Sequence, residues 1–352
     1  EGKVVSGPEY LTILDGQNGK PIDQVDWVSR KPFYEINKKY GYNYASRNQM
    51  GVAWLDGAHP HLIVERGTYN LIIVQAYRLI GDELELVWEW DNRNASDDYW
   101  GQGAHWLHAA DVDQDGKEEI ILGSAVLDDD GDELWSTGFG HPDHCYVGDL
   151  IPERQGLEIY YGLESGQPKG NGMCMVDAQT GSVIWGIEVP TRHVHGKGLC
   201  SDIDPVHPGR ECCSAESIPK EGKRLDYAIM HTNKGEIIER EVMGGFSPRC
   251  AYWDTDPQRE LLIDNRIFDY PSETTHTRIE GNVVTIADVF GDWREEIITS
   301  VKGELRIYTS TIPASNRRVC LMQDPIYRSD VAHASMGYET VPTTTNNLQF
   351  ER

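Results

Sequence analysis

The stretch from Ala110 to Ile121 constrains this chain most, because the sequence rewrites it at intervals along its length. Asp111, Asp113 and Asp115 alternate with other residues, Gly116 permits a sharp turn, and Glu119 follows four positions after Asp115. This spacing gathers hard carboxylate oxygens around one point, as a calcium ion requires. Asp111, Asp113, Asp115 and Glu119 are therefore the expected ligands of a structural ion at a sheet corner. Ile120 and Ile121 then start a strand. Weaker copies run from Val147 to Ile159, Ser201 to Glu211, Tyr252 to Leu262 and Ala287 to Ile298, and Val52 to Gly57 is a degenerate sixth. In these copies Asp202, Asp204, Asp288 and Asp292 are expected to accept corner hydrogen bonds rather than bind metal. Self-similarity at a period of about 46 residues indicates propeller blades or a solenoid.

Between the turns lie short runs split by Gly and Asp that read as hairpins: Tyr10 to Gly19, Met175 to Trp185 and Val301 to Tyr308. Leu84 to Trp90 alternates apolar and polar positions, which suits a strand with one wet face. No stretch longer than about ten residues carries helical periodicity free of breakers. The expected fold is all-β: four-stranded antiparallel sheets repeated around an axis, a β-propeller forming one domain over residues 1–352. Lys31 to Asn48 and Pro219 to Arg224 read as long connections. Trp106, Trp253 and Trp293 are expected in the core between blades, and Trp100 alongside them, with sugar stacking as the alternative.

The net charge of -25 argues against nucleic acid as a partner, since phosphate binding needs clustered Lys and Arg. No apolar run approaches the ~20 residues of a membrane span. The chain shows no leader and opens inside a charged stretch, as a mature or truncated form would. Seven cysteines form neither a CxxC pair nor a dense framework. Buried free thiols are the default expectation, with disulfides the alternative.

An ordered set of segments resembles the rhamnogalacturonan lyases of polysaccharide lyase family 11. The set comprises Ser6 to Thr12, Val52 to Gly57, Glu65 to Tyr69, Gly101-Gln102-Gly103 with His105, Ala110 to Ile121, Ser136 to His141 and Val147 to Leu150. It continues through Gly196 to Leu199, Phe290 to Glu296, Arg306 to Tyr308, Met322 to Arg328 and Gly337-Tyr338. The resemblance implies an eight-bladed propeller carrying calcium, of which about six repeats are visible here. The opening blades are then expected outside this chain, unless the propeller is smaller. It also implies a secreted or periplasmic enzyme that cleaves an acidic plant cell-wall polysaccharide, the rhamnose-galacturonate backbone of pectin, by β-elimination.

The resemblance further supplies residue roles. His105 and His141 match active-site histidines, and Asp143 and Glu164 match calcium-holding positions. Lys197 replaces an arginine that would neutralise a substrate carboxylate; it keeps the charge but loses bidentate geometry. Tyr338 matches a tyrosine lining the sugar site. Arg278 and Asn282 fall where the family carries an Asn-Gly-Thr-Lys run for sugar contacts, and Glu280 changes the charge there.

Elimination beside a uronate requires a base for the proton next to the carboxylate and a cation to spread the developing charge. Calcium and the basic groups His105, His141 and Lys197 are expected to supply these in an otherwise acidic chain. Two alternatives stand beside this reading: a lyase for another rhamnose-uronate polymer, favoured by the altered segment at Glu280, and a non-catalytic carbohydrate-binding propeller.

Overall fold

The computed structural model describes residues 5–196, 198–220, 223–243, 247–334, 336, 338 and 340–345. Six antiparallel meander sheets follow one another along the chain, after a hairpin of Tyr10–Leu14 with Pro21–Asp26. The first sheet joins Asn48–Ala53, His61–Arg66, Ile73–Ile80 and Glu83–Asp91, and the second Gly103–Ala110, Glu119–Gly123, Ala125–Leu127 and Glu133–Ser136. The third joins Pro142–Gly148, Glu158–Leu163, Met173–Asp177 and Val183–Gly186, and the fourth Leu199–Ser201, Glu211–Lys220, Lys223–His231 and Ile237–Met243. The fifth joins Arg249–Ala251, Glu260–Ile263, Arg266–Phe268 and Thr275–Arg278. The sixth has three strands, Asn282–Ala287, Glu296–Val301 and Glu304–Tyr308. Among the described residues no helix is long and apolar enough to cross a membrane.

The recurring turn of the sequence is explained by its glutamate. In five sheets the second strand begins at a buried Glu whose carboxylate accepts backbone N–H bonds from the turn upstream. Glu119 accepts from Val112 at 2.6 Å, and Glu158 from Leu150 and Ile151 at 2.9 and 3.0 Å. Glu211 accepts from Ile203 and Asp204 at 2.9 and 3.0 Å. Glu260 and Glu296 repeat the pattern on Trp253 and on Val289 and Phe290. Each carboxylate satisfies donors that the turn geometry would leave unpaired away from water.

At two of these corners the residue before this Glu is itself a glutamate that grips the preceding sheet. Glu118 exchanges bonds with Trp54, donating its N–H at 3.2 Å and accepting at 2.8 Å. Glu295 does the same with Tyr252, at 3.0 and 2.9 Å.

A second repeated device joins the other ends of the sheets. Trp88, Trp135 and Trp185 each lie on the last strand of their sheet and donate their indole N–H to a carbonyl of the next sheet's hairpin, at Asp129, Ala178 and Asn233. Each ring lies over a glycine of that hairpin, Gly131, Gly181 or Gly235. At Gly181, φ is 68° and a Cβ would stand 2.6 Å from the Trp135 ring, so both backbone conformation and space require glycine. At the fourth junction no tryptophan is present. Glu239 there accepts from the Tyr270 hydroxyl at 2.8 Å, beside a cavity of about 580 Å³ with Ile238 and Phe268 in its wall.

The segment from Leu321 to Thr345 touches all six sheets. Its helix, Pro325–His333, starts with the Asp324 side chain accepting from the Tyr327 N–H. His333 lies 3.3 Å from the Val52 N–H of the first sheet and contacts the Leu107 carbonyl of the second. Thr343 donates to the Val147 carbonyl of the third sheet. Arg210, at the fourth, donates to Thr344 at 2.6 Å, and Arg259, at the fifth, to the Pro342 carbonyl at 3.0 Å. The Tyr327 hydroxyl donates to Glu295 of the sixth at 2.7 Å.

Two expectations for connections change. Lys31 to Asn48 holds two short helices, Lys31–Ile36 and Gly41–Ala45, built around buried Phe33 and Ala45. Of the run from Pro219 to Arg224, the described residues continue the pairing of two long strands, Glu211–Lys220 and Lys223–His231, with Pro219 opposite Arg224 and Lys220 opposite Lys223. Trp106, Trp253 and Trp293 are buried, as expected of core residues, while Trp100 is exposed. All seven cysteines are free; Cys200 and Cys212 face each other across a strand pair with sulfurs 3.4 Å apart.

Candidate active centre

Neighbouring sheets bring several titratable side chains together. His105 stands on the first strand of the second sheet, and His141 and Asp143 at the start of the first strand of the third. Glu164 follows the third sheet's second strand. Tyr338 arrives after the C-terminal helix, its N–H donating to the His105 carbonyl at 2.9 Å. An extended segment entering the fourth sheet adds His193 and His195. Ser217 donates to the His193 carbonyl and His195 to the Ala215 carbonyl, which holds this segment against the fourth sheet.

Asp143 lies at the middle. Its Oδ1 is 3.5 Å from His105 Nε2 and 3.5 Å from His141 Nε2. Its Oδ2 is 3.0 Å from His195 Nδ1 and accepts the Gly196 N–H at 2.5 Å. Glu164 divides its oxygens similarly: Oε2 is 3.2 Å from His141 Nε2 and Oε1 3.6 Å from His193 Nδ1. His105, His141 and Asp143 are each at most 4% exposed. Tyr69 covers them, its hydroxyl 3.2 Å from His105 Nε2 and its ring edge-on to His141 at 4.7 Å. The Tyr338 ring lies 4.2 Å from that of His105. A cavity of about 220 Å³ opens beside this group, lined by Arg47, Asn48, Gln49, Thr68, His105 and Tyr338.

The electrostatics follow from this crowding. Burial, reinforced by the neighbouring His141, brings the His105 pKa down to about 3, so its ring stays neutral at physiological pH. Burial also acts against a charged His141, but the facing carboxylates of Asp143 and Glu164 outweigh it and raise its pKa. For Asp143 burial is likewise outweighed, by His141 and the Gly196 N–H, and the carboxylate is held well below its usual range. Burial raises Tyr69 to about 12 and raises Tyr338 as well.

The residues fit a cation. The Nδ1 of His141 contacts the Gly103 carbonyl, and only a ring that carries its proton on Nδ1 can donate there. In the neutral ring its Nε2, buried and without a hydrogen-bond partner, turns a lone pair toward two carboxylates. Three acceptors facing one another are repulsive unless a proton or a metal ion lies between them. A backbone carbonyl fixing the distal nitrogen is the usual support of a metal-binding imidazole.

The other sequence candidates lie elsewhere. Asp111, Asp113 and Asp115 gather their oxygens within 4.8 Å of one another. Glu119 belongs to an adjoining group with Asp128 and Asp129, and one of its oxygens serves the Val112 N–H instead of the aspartate loop. Asp288 behaves as expected of a corner acceptor, taking the Gly291, Asp292 and Trp293 N–H groups, and Asp204 takes that of Val206. Arg278 ends the fifth sheet and Asn282 opens the sixth, both exposed, on parts of the chain distant in sequence from the histidines. Lys197 lies outside the described residues.

Sequence reasoning missed His193, His195, Tyr69 and Arg47. His-x-His on an extended segment was the available signal for the first two, since alternate residues share a face. Tyr69 and Arg47 are recognisable only through the pairing that carries them to the cavity.

The family model described as "Rhamnogalacturonan lyase family 11, C-terminal domain" matches residues 1–350. Rhamnogalacturonan endolyase YesW of Bacillus subtilis (strain 168) is 36% identical, and the alignment covers 98% of this chain and 56% of that protein. Rhamnogalacturonan exolyase YesX of the same organism is 35% identical, over 98% of this chain and 59% of that protein. The chain thus spans a little over half the length of these relatives. The crystal structure of YesW superposes with a TM-score of 0.86 at 35% identity, covering 100% of this chain and 60% of that one. A Bacillus licheniformis rhamnogalacturonan lyase gives 0.86 at 35% identity, with coverages of 99% and 59%. On this similarity, which extends over nearly the whole chain, the chain belongs to rhamnogalacturonan lyase family 11 and corresponds to its C-terminal domain.

Proposed function

We propose that this chain carries the active centre of a polysaccharide lyase that cleaves rhamnogalacturonan by β-elimination at a uronate. The observation that carries this reading is the Nε2 of His141, unpartnered and aimed between Asp143 and Glu164 in a centre that also holds His105. The relatives named as rhamnogalacturonan lyases support the substrate class.

We read the six sheets, strung on one C-terminal segment, as blades of a β-propeller, eight-bladed as the family resemblance implies. The enzyme is proposed to act outside the cytoplasm, secreted or periplasmic. His105, His141, Asp143 and Glu164 would hold calcium at the centre. Bound there, calcium would supply positive charge to the uronate carboxylate as the proton beside it is removed.

The chain's own groups divide the remaining work. His105, neutral because burial lowers its pKa to about 3, is in the protonation state a base requires. Its distance from the usual base range makes it a weak acceptor, so Lys197 shares candidacy for moving the proton. Arg47 lines the cavity beside His105 and adds positive charge for an acidic sugar. Tyr69 and Tyr338 wall off water from the buried face of the ring cluster. In the elimination the C–H electrons form the new C=C bond, the glycosidic C–O bond breaks, and the departing oxygen takes up a proton.

A second reading keeps the reaction and changes the polymer to one with rhamnose and glucuronate. Glu280, where the family carries a basic run, pairs with Arg306 at 2.5 Å, and with Arg278 beside it the segment 278–282 carries no net positive charge. One assay separates these readings. The protein is incubated with rhamnogalacturonan, homogalacturonan and glucuronate-containing gums, with calcium or with chelator, and the ultraviolet absorbance of the unsaturated product is followed. Calcium-dependent product from rhamnogalacturonan is expected, and His141→Ala and Lys197→Ala should each remove most of it. Product only from the gums selects the second reading. Binding without product from any polymer overturns both and leaves a non-catalytic carbohydrate-binding module.

A further inference from the structure

The two carboxylates of the centre each face two ways. Asp143 Oδ1 and Glu164 Oε2 lie toward His105 and His141, whereas Asp143 Oδ2 and Glu164 Oε1 lie toward His195 and His193. Glu164, His193 and His195 bring one ligand atom each within 4.8 Å of one another, as do His105, His141 and Asp143. Bridging carboxylates flanked by separate terminal ligands are what a pair of metal ions uses.

From this division we infer that the centre has a second cation position, Glu164–His193–His195, that takes an imidazole-preferring divalent ion of the zinc class, beside the position held by His105, His141 and Asp143. The inference rests on the proposed active centre and adds a second ion of different chemistry to it.

The donor chemistry points to the ion. Two imidazoles and one carboxylate form a three-ligand set that leaves a coordination position open, the pattern of exposed zinc sites. Calcium takes six to eight oxygens, and at the first position both Asp143 and Glu164 turn an oxygen toward His141. At the second, Asp143 Oδ2 already accepts the Gly196 N–H, and two imidazoles with the one remaining carboxylate suit zinc and its neighbours in the transition series. The side chains of His193 and His195 are 34% and 38% exposed, so the open position faces solvent and an incoming ligand can reach it. The two rings stack at 4.9 Å and 18°, with Nε2 of His193 3.1 Å from Nδ1 of His195. Two neutral imidazoles can share one proton across that contact, and a metal ion replaces this arrangement with two bonds.

The backbone is also prepared for this role. Val194 pairs with Glu216 in an antiparallel bridge, and its buried side chain points away from the histidines as strand alternation requires. The His-x-His face is therefore fixed by the fourth sheet rather than carried on a free loop. The Arg192 N–H donates to Glu216 Oε1 at 2.7 Å, which closes the approach to this bridge.

The test uses the whole chain and zinc itself. Protein in excess calcium is equilibrated with zinc, and bound metal is counted by elemental analysis alongside a titration that gives zinc affinity. Cobalt(II) in place of zinc reports imidazole coordination through its visible absorption. Three variants are compared: His193→Asn, His195→Asn and Glu164→Gln. The expected result is one calcium-resistant zinc per chain, weakened at least about tenfold by each variant, since even outer-sphere partners are worth that much.

Equal zinc affinity in the native chain and both histidine variants would overturn the inference. Unchanged affinity in Glu164→Gln alone would also overturn it, because it would make the histidines an ordinary surface pair. Rhamnogalacturonan cleavage in calcium alone is measured in parallel. Cleavage without any zinc difference sinks this inference but not the lyase reading, and zinc retention without cleavage does the reverse.

Discussion

Replacing Glu211 tests whether the repeated corner glutamates are built for the backbone. Its carboxylate is 1% exposed and accepts the Ile203 and Asp204 N–H groups at 2.9 and 3.0 Å. In Glu211→Ala both donors stay buried and lose their acceptor. An orphaned buried donor costs about 1–3 kcal/mol, so two should cost about 2–6 kcal/mol, near the upper end of single-site effects. Glu211→Gln keeps an oxygen of the same reach for both donors and should cost about 1 kcal/mol or less.

The contrast sharpens with pH. Burial raises the Glu211 pKa to about 8, against about 4.5 unfolded, so between these values the folded state binds more protons than the unfolded one. Stability conferred at this site therefore falls as pH rises from about 4.5 through 8. The amide of Glu211→Gln does not titrate and removes that decline. Urea denaturation at pH 5 and pH 8.5, with m-values checked for constancy, gives all three stabilities. Glu211→Ala within 1 kcal/mol of the native chain, or a Gln variant as costly as Ala, would refute the argument.

Three further outcomes are expected. Trp135→Ala should cost about 2–4 kcal/mol in chemical denaturation, through lost ring contact with Gly181 and the lost bond to Ala178, without changing cleavage of rhamnogalacturonan. His108 lies 2.7 Å from Asp330 in the core, and although burial opposes its charge, Asp330 raises its pKa to about 10. Its contribution is thus complete below about pH 6.5 and lost as pH rises toward 10. The cost of His108→Gln, read from melting curves, should shrink across that window, and a cost constant with pH would contradict the pairing. Asp113→Ala should lower the melting temperature in calcium and shrink the chelator-induced drop expected of the native chain; identical melting of the native chain with and without chelator would exclude an ion in that loop.

Much of the architecture was legible because its cause is local. The turn of Asp111 to Glu119 and its copies announce themselves through residues that must serve one turn, and the apolar pairs that follow are the buried starts of strands. What spacing did not disclose was the second duty of Glu119. Spacing alone treats every nearby carboxylate as a metal ligand, whereas the fold turns this one onto the Val112 N–H and toward Asp128. The tryptophan latches at 88, 135 and 185 recur at intervals close to the repeat, but their partner glycines lie one sheet further on. The same limit applies to the centre. His105 and His141 were found through resemblance, while His193 and His195 were passed over because nothing local says which sheet the segment will lie against.

The acidity of the chain and the acidity of its proposed substrate are reconciled by where the carboxylates go. A net charge of -25 would repel a polyuronate if it were spread evenly. Several acids instead spend their oxygens on backbone donors at the corners, and Glu211 and Glu260, with pKa values near 8 and 9, are largely uncharged at neutral pH. At the proposed centre the acids among the described residues are Asp143 and Glu164, and both face imidazoles. The sign of the field there is therefore decided by what lies between the carboxylates and the histidines. Protonated histidines would offer charge but no open position, and burial keeps His105 from taking a proton at all. On the proposed reading a metal ion would offer both, would leave His105 neutral, and would give the tether of the other His141 nitrogen to a backbone carbonyl its purpose.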